Sequence, residues 1–204
     1  MLTLPSHKAQ SSSLRNACRW FDRRRLRRAA RVYGPGSLPG IVWRQMRSEW
    51  RLSQLGIRFR QRQNDQACAA YGRMPWEDFC QINARQAWAN WRTIPSALNG
   101  LLPRRSLNVV DLCCGTGDST AVLAWCCSLE SHILGIDVCP ELIGHARQRR
   151  YYDDAGRSVP VLFRTQSVLE TWCDTEGVPL EQGSIDLVNT SGAVGCHFDS
   201  DACH

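Results

Sequence analysis

The sequence contains a single lysine and only three methionines in 204 residues, and it has no apolar run long enough to cross a bilayer. Its mainly apolar stretches, such as residues 121–127, are far shorter than the roughly 20 residues a spanning helix needs, so a transmembrane protein is excluded. The opening MLTLPSHKAQSSSL lacks the long apolar core of a secretory signal. No C-x-x-C pair faces a second one. The eleven cysteines fall as two adjacent pairs (Cys113–Cys114 and Cys126–Cys127) and scattered singles, so their spacing offers no zinc framework and no metal is expected. An odd count also leaves one thiol over in any fully oxidised chain. Reduced, mostly buried thiols in a cytoplasmic protein are expected. With 43% hydrophobic and 22% charged residues and a mean hydropathy of −0.34, the chain can form a packed core.

Charge is unevenly spread. Residues 1–62 carry Lys8 and fourteen arginines against Asp22 and Glu49, a net +13, whereas residues 63–204 carry a net −7. A basic arm on an acidic body suggests two regions with different roles. The arm is Arg-rich, contains serines and is nearly free of acids. Three readings stand for it: a solvated Arg-rich surface, a contact for nucleic acid or another acidic partner, or a targeting segment.

Residues 1–15 are polar and Ser-rich and are expected to be disordered, and residues 16–33 suit a basic helix. GPGSLPG (34–40) reads as a linker, because glycine and proline together end a helix. Residues 41–62 resume a helical pattern, with Ile41, Met46, Trp50, Leu52 and Leu55 as a narrow apolar stripe. Residues 63–105 read as a helical pre-domain. Pro75 suits a first helical turn, and Glu77 and Asp78 behind it suit the helix dipole. Trp76, Cys80, Ala84, Trp88 and Trp91 keep helical spacing, with Phe79 beside them, before Pro95, Gly100 and Pro103 break the chain.

From residue 106 to 204 the pattern alternates strand and helix. Strands are expected at 107–114, 132–138, 159–165 and 184–190. Helices are expected at 119–128, from Pro140 onward, and as a short piece at 166–173. Such alternation implies parallel β-α-β units. Within it, VVDLCCGTGDST (109–120) runs from a strand through Gly115, Thr116 and Gly117 into a helix. Glycine there lets the backbone approach a ligand closely. Asp137, at the end of the second strand, can accept both hydroxyls of a ribose. An adenosine-containing ligand follows. A dinucleotide site would want a third glycine where Thr120 stands. Asp111, just before the loop, would repel a pyrophosphate but favour an ammonium and a sulfonium. The loop therefore favours S-adenosyl-L-methionine.

DLCCGTGD followed by GIDVCPELIGHAR resembles motifs I and II of the class I S-adenosylmethionine-dependent methyltransferases, and the first motif is similar to that of quinone-ring methyltransferases. VLFRTQSVLE resembles their third motif and GSIDLVNTSGAVGCHF their fourth, so the resemblance covers about residues 106–198. It implies an α/β, Rossmann-like, mostly parallel sheet and a methyltransferase with a small-molecule acceptor. By the same resemblance, Asp111, Gly115, Thr116 and Gly117 would hold the methionine part of the cofactor. Asp137 would hold the ribose, and Val138 would pack on adenine. Ser167 falls where an acid often reaches the adenine amino group, and Asn189 to Ser191 fall beside the methyl donor. Cys113 replaces the first glycine of the usual loop.

His197 follows the fourth strand and is the one candidate catalytic base. Together with Asp199, Asp201 and His204 it also bears a faint likeness to a metal-ligand set. The family sheet has seven strands in the order 3-2-1-4-5-7-6, and this sequence ends after the fourth. A fragment of a longer gene product is the preferred explanation. A dimer paired through the exposed edge of strand 4 and an edge covered by the basic arm are the others. The alternative function is a catalytically incomplete cofactor-binding or interaction fragment whose arm contacts nucleic acid.

Overall fold

A computed structural model describes residues 38–58, 64–103 and 105–193. The expectations for residues 1–37, and those for His197, Asp199, Asp201 and His204, lie outside them. Valine, isoleucine and leucine make up most of two central strands, β1 (Asn108–Leu112) and β2 (His132–Asp137). Both are buried on the two faces, as strands of a covered parallel sheet are. The edge strands β3 (Val161–Thr165) and β4 (Leu187–Thr190) are only partly covered. All pairings are parallel and the order is β3-β2-β1-β4, as in the first half of the expected sheet. The chain steps outward through β2 and β3, then returns to the other side of β1. The carboxyl ends of β1 and β4 therefore flank a topological switch point, where α/β sheets bind ligands.

Among the described residues three helices precede the sheet: α1 (Leu38–Gln54), α2 (Asn64–Arg73) and α3 (Trp76–Ala97). Two alternate with its strands, α4 (Asp118–Cys126) and α5 (Pro140–Gln148). Ile94 of α3, Val122 and Leu123 of α4 and Ile143 of α5 pack with Val109, Ile133 and Phe163 into the main core on one face of the sheet. On the other face Val110, Leu134 and Ile136 are covered by Val168, Trp172, Leu180 and Ile185. That cover is an irregular segment, not a helix.

The short helix expected at 166–173 does not form. Gln166 donates from Nε2 to the Thr171 carbonyl at 2.5 Å and accepts from the Cys173 N–H at 3.1 Å, and Ser167 Oγ accepts from the Leu169 N–H at 3.3 Å. These side chains occupy backbone groups that a helix would need for itself. Further boundaries differ, and the helical pattern read over residues 41–62 ends at Gln54. α1 begins inside the linker read at 34–40, at Leu38, with Pro39 in its first turn. Pro95 does not break α3; it sits one turn from the helix end, where little of the ladder is left to lose.

The apolar stripe of α1 divides. Ile41 and Leu52 are buried, whereas Met46, Trp50 and Leu55 are exposed. Arg51 of α1 ties the helix to α3, with NH2 at 2.6 Å and Nε at 3.0 Å from the fully buried Asp78 carboxylate. Because α3 packs on α1 and on α4, its buried residues are Asp78, Phe79, Ala84, Ala87, Asn90 and Ile94 rather than the tryptophan line. Trp91 meets Trp125 of α4 edge-on, and the half-exposed Trp76 stacks on His145 of α5 at 3.9 Å.

Candidate functional site

The glycine loop begins as an extension of the sheet. The Cys114 N–H donates to the Ile136 carbonyl at 3.1 Å, and the chain then leaves the strand through three left-handed residues: Cys113 (φ 53°), Gly115 (φ 53°) and Gly117 (φ 78°). Gly117 is the N-cap of α4. A Cβ there would meet the Tyr151 hydroxyl and lie 3.1 Å from its Cζ, so packing as well as backbone angle demands glycine. At Gly115 a Cβ would meet nothing nearer than Leu142 Cδ1 at 4.0 Å. The space on that side of the loop is open, while the N–H of the same glycine is held by Asp137.

Cys113 stands in a conformation that costs a side-chain-bearing residue about 1–2 kcal/mol. Glycine would relieve this at the expense of a more flexible unfolded chain, worth about 0.4–1 kcal/mol. Cys113→Gly is therefore expected to raise stability slightly, by about 0.5–1 kcal/mol from those two magnitudes, read as a shift of the urea midpoint at unchanged slope. A lowered midpoint would show that the thiol contributes packing that outweighs the strain. Its neighbour Cys114 is buried, and that burial, with the Asp111 and Asp137 charges, drives its ionisation well above the ordinary thiol range.

Asp137 closes β2 and is itself buried. One carboxylate oxygen accepts the Gly115 N–H at 2.8 Å and the other the Cys139 N–H at 2.9 Å. The loop is thus fastened to the carboxylate expected to hold the ribose. Val138 follows, half-buried.

Asp111 is fully buried one strand away. It accepts from Ser119 Oγ at 2.8 Å, Thr120 Oγ1 at 2.5 Å and Asn189 Nδ2 at 2.6 Å. The last bond follows from register, because Asp111 and Asn189 are paired across β1 and β4. Burial pushes the Asp111 carboxyl up to about 6; the three hydrogen bonds resist this, and the Asp137 charge adds to it. Thr120, the residue in place of a third glycine, is therefore an anchor of the loop's own acid.

Ser167 is half-buried at the end of β3, its hydroxyl turned to its own loop. Ser191 Oγ donates to Asn90 Oδ1 at 2.5 Å, and Gln86 Nε2 donates to both, at 3.2 Å to Ser191 and 2.8 Å to Asn90. The structure thus brings Asp111, Gly115, Thr116, Gly117, Asp137, Val138 and Asn189 to one corner at the carboxyl ends of β1, β2 and β4.

Three residues of this corner were assigned no role in the sequence. Asp118 opens α4, where its charge suits the helix N-terminus. It accepts from Asn83 Nδ2 of α3 at 2.5 Å, from Thr116 Oγ1 at 3.1 Å and from Arg149 NH1 at 2.7 Å. Arg149 NH1 also donates to the Thr116 carbonyl at 2.8 Å. Asp118 has a signal in its place after the loop. Arg149 and Asn83 have none, since one is lost in a run of arginines and the other lies in the pre-domain.

The family model described as "Methyltransferase domain" matches residues 109–204. No curated protein matches the chain. Among solved structures, a magnesium protoporphyrin IX methyltransferase from Synechocystis PCC 6803 with bound SAH is similar to it at 20% identity and a TM-score of 0.35, covering 52% of this chain and 44% of that one. The CurJ carbon methyltransferase is similar at 13% identity and a TM-score of 0.39, covering 71% of this chain and 43% of that one. The chain therefore spans less than half the length of either. The matched segment contains the glycine loop, and among the described residues no helix is long and apolar enough to cross a membrane.

Proposed function

We propose that the chain binds S-adenosylmethionine at the Gly115–Gly117 corner and belongs to an enzyme that methylates a small molecule. The observations that carry this reading are the Asp137 carboxylate bonded to the Gly115 N–H and the open space on the Cβ side of that glycine. An ordinary side chain at Gly115 would fill that space, and a ribose there would lie within reach of Asp137. The residues present thus fit the cofactor. S-adenosylmethionine, when bound, supplies a methyl group activated by a sulfonium.

The chain's own residues would bind and orient. Asp137 would accept the ribose hydroxyls and Val138 would offer an apolar edge to the adenine. Ser167 would serve the adenine amino group less well than the acid it replaces. Asp111 would lend negative charge beneath the loop, and Asn189 would be held in place by it. Gln86 and Ser191 would meet the acceptor as a polar rim, held in place by the buried Asn90. Positioning of donor and acceptor provides much of the catalysis in an in-line displacement, so no dedicated base is required.

Calorimetry of the full chain with S-adenosylmethionine tests this. One site per chain is expected, weaker at pH 5 than at pH 7 by about tenfold. A cationic ligand favours the ionised Asp111, so below about pH 6 a proton must be released before it binds. Absence of binding would remove the cofactor reading. Binding indifferent to pH would remove only the role given to Asp111.

A further inference from the structure

The two thiols and the carboxylate of Cys68, Cys139 and Glu141 come together where α2 meets the start of α5. One ligand atom from each lies within 4.8 Å of the others, and Cys139 Sγ is 3.2 Å from Glu141 Oε2. The spacing of cysteines in the sequence could not reveal this group, because Cys68 belongs to α2 and the other two to the turn after β2. Cys139 is the N-cap of α5 and Glu141 lies in its first turn. Cys68 and Gly72, one helical turn apart, present the same side of α2 to them. A Cβ on Gly72 would sit 3.5 Å from the Glu141 carboxylate, so α2 lies close over that side chain. Cys139 is buried beside Leu52, Met74, Phe79 and Leu142, while Glu141 reaches solvent and gives an ion a way in.

We propose that Cys68, Cys139 and Glu141 form a binding site for a thiophilic divalent cation of the zinc class, clasping α2 to the corner that carries Asp137. Two sulfurs and one oxygen suit zinc far better than magnesium or calcium, which prefer all-oxygen sets. With zinc–sulfur bonds of about 2.3 Å and zinc–oxygen bonds of about 2.1 Å, a tetrahedral site needs sulfurs about 3.8 Å apart and each sulfur about 3.5 Å from the oxygen. The three atoms are within about an ångström of that arrangement by the same bond lengths. The fourth position stays open to water. On binding, each thiol gives up its proton to solvent as its sulfur takes the metal, so uptake releases protons. This site does not depend on the methyltransferase reading.

The test is titration of the reduced full chain with Zn(II) against a chromophoric chelator, and with Co(II) followed by absorption. One equivalent per chain is expected, with a thiolate-to-cobalt charge-transfer band and a tetrahedral ligand-field spectrum. Cys68→Ser and Cys139→Ser should each weaken Zn(II) binding by at least about 100-fold, since loss of an outer partner alone costs 10–100-fold. The exposed Glu141→Gln, which should leave the fold intact, should weaken it about tenfold by the same scale. Cys127→Ser, a buried thiol outside the group, should leave it unchanged. No uptake, cobalt absorption without a charge-transfer band, or unaltered affinity in Glu141→Gln together with Cys68→Ser would overturn the proposal. So would a Cys68–Cys139 disulfide found in place of metal uptake.

Discussion

Asp111→Ala should destabilise the fold by about 2–4 kcal/mol, measured by urea unfolding at pH 7. The carboxylate has no exposure to water and accepts from three side chains. Its removal leaves the buried Ser119 and Thr120 hydroxyls and the Asn189 amide to find new partners or none, and a buried donor left without one costs about 1–3 kcal/mol. The hydroxyls can turn to backbone carbonyls within α4, so the losses do not simply add. Asn189, held across the β1–β4 pair, has no such freedom, and β4 should loosen first.

The same residue sets a pH dependence whose sign is opposite to that of a salt-bridged acid. The folded carboxyl keeps its proton up to about pH 6, and the unfolded one releases it near 4. Between these values the folded state binds more protons. The contribution of Asp111 to stability is thus fully present below about pH 4 and is lost as pH rises through 6, by about 3 kcal/mol for a shift of this size. Asp111→Asn should flatten that part of the pH profile. It should also cost less than alanine, because the amide keeps one acceptor and the two hydroxyls can accept as well as donate. An unchanged profile in Asp111→Asn would mean that another acid supplies the slope.

Asp137→Ala should weaken S-adenosylmethionine binding by about 100-fold or more, while His197→Ala should leave it little changed. Hydrogen bonds to a charged group contribute about 1.5–3 kcal/mol each, and the ribose offers two hydroxyls. The variant loses more than those bonds. The Gly115 and Cys139 N–H groups also give up their acceptor, so the loop is released from β2. Asp137→Asn separates the two effects, because it retains one acceptor oxygen for the loop but lacks the charge. An affinity between those of wild type and Asp137→Ala is expected. Equal affinity for wild type and Asp137→Ala would place the ligand elsewhere.

The parallel order of the four strands was legible in the sequence because β1 and β2 are apolar on both faces and are followed by glycine, aspartate or proline. The corner was legible because its function lies in backbone shape, and glycines and a strand-ending aspartate mark backbone shape directly. Cys113 shows the limit of such reading. It occupies a left-handed position that the sequence alone assigns to glycine only through resemblance. Side-chain fastenings were not legible. Arg149 holds the Thr116 carbonyl and Asp118 from across the fold, and nothing in RQRRYY distinguishes it from its neighbours. The cover over Val110 and Leu134 was misread as a helix because Gln166 and Ser167 bond their own backbone. The tryptophan line of α3 marks only part of what the helix covers, because that helix is packed on two sides, which one periodic stripe cannot express.

The central claim is that a bare bend of main chain, fastened to the Asp137 carboxylate, receives a sulfonium nucleoside. Crystals of the chain soaked with S-adenosylmethionine test it most directly. The ligand should appear over Gly115 with both ribose hydroxyls on Asp137. A fully soaked crystal with no ligand at this corner, or with the nucleoside bound at another place, would contradict it.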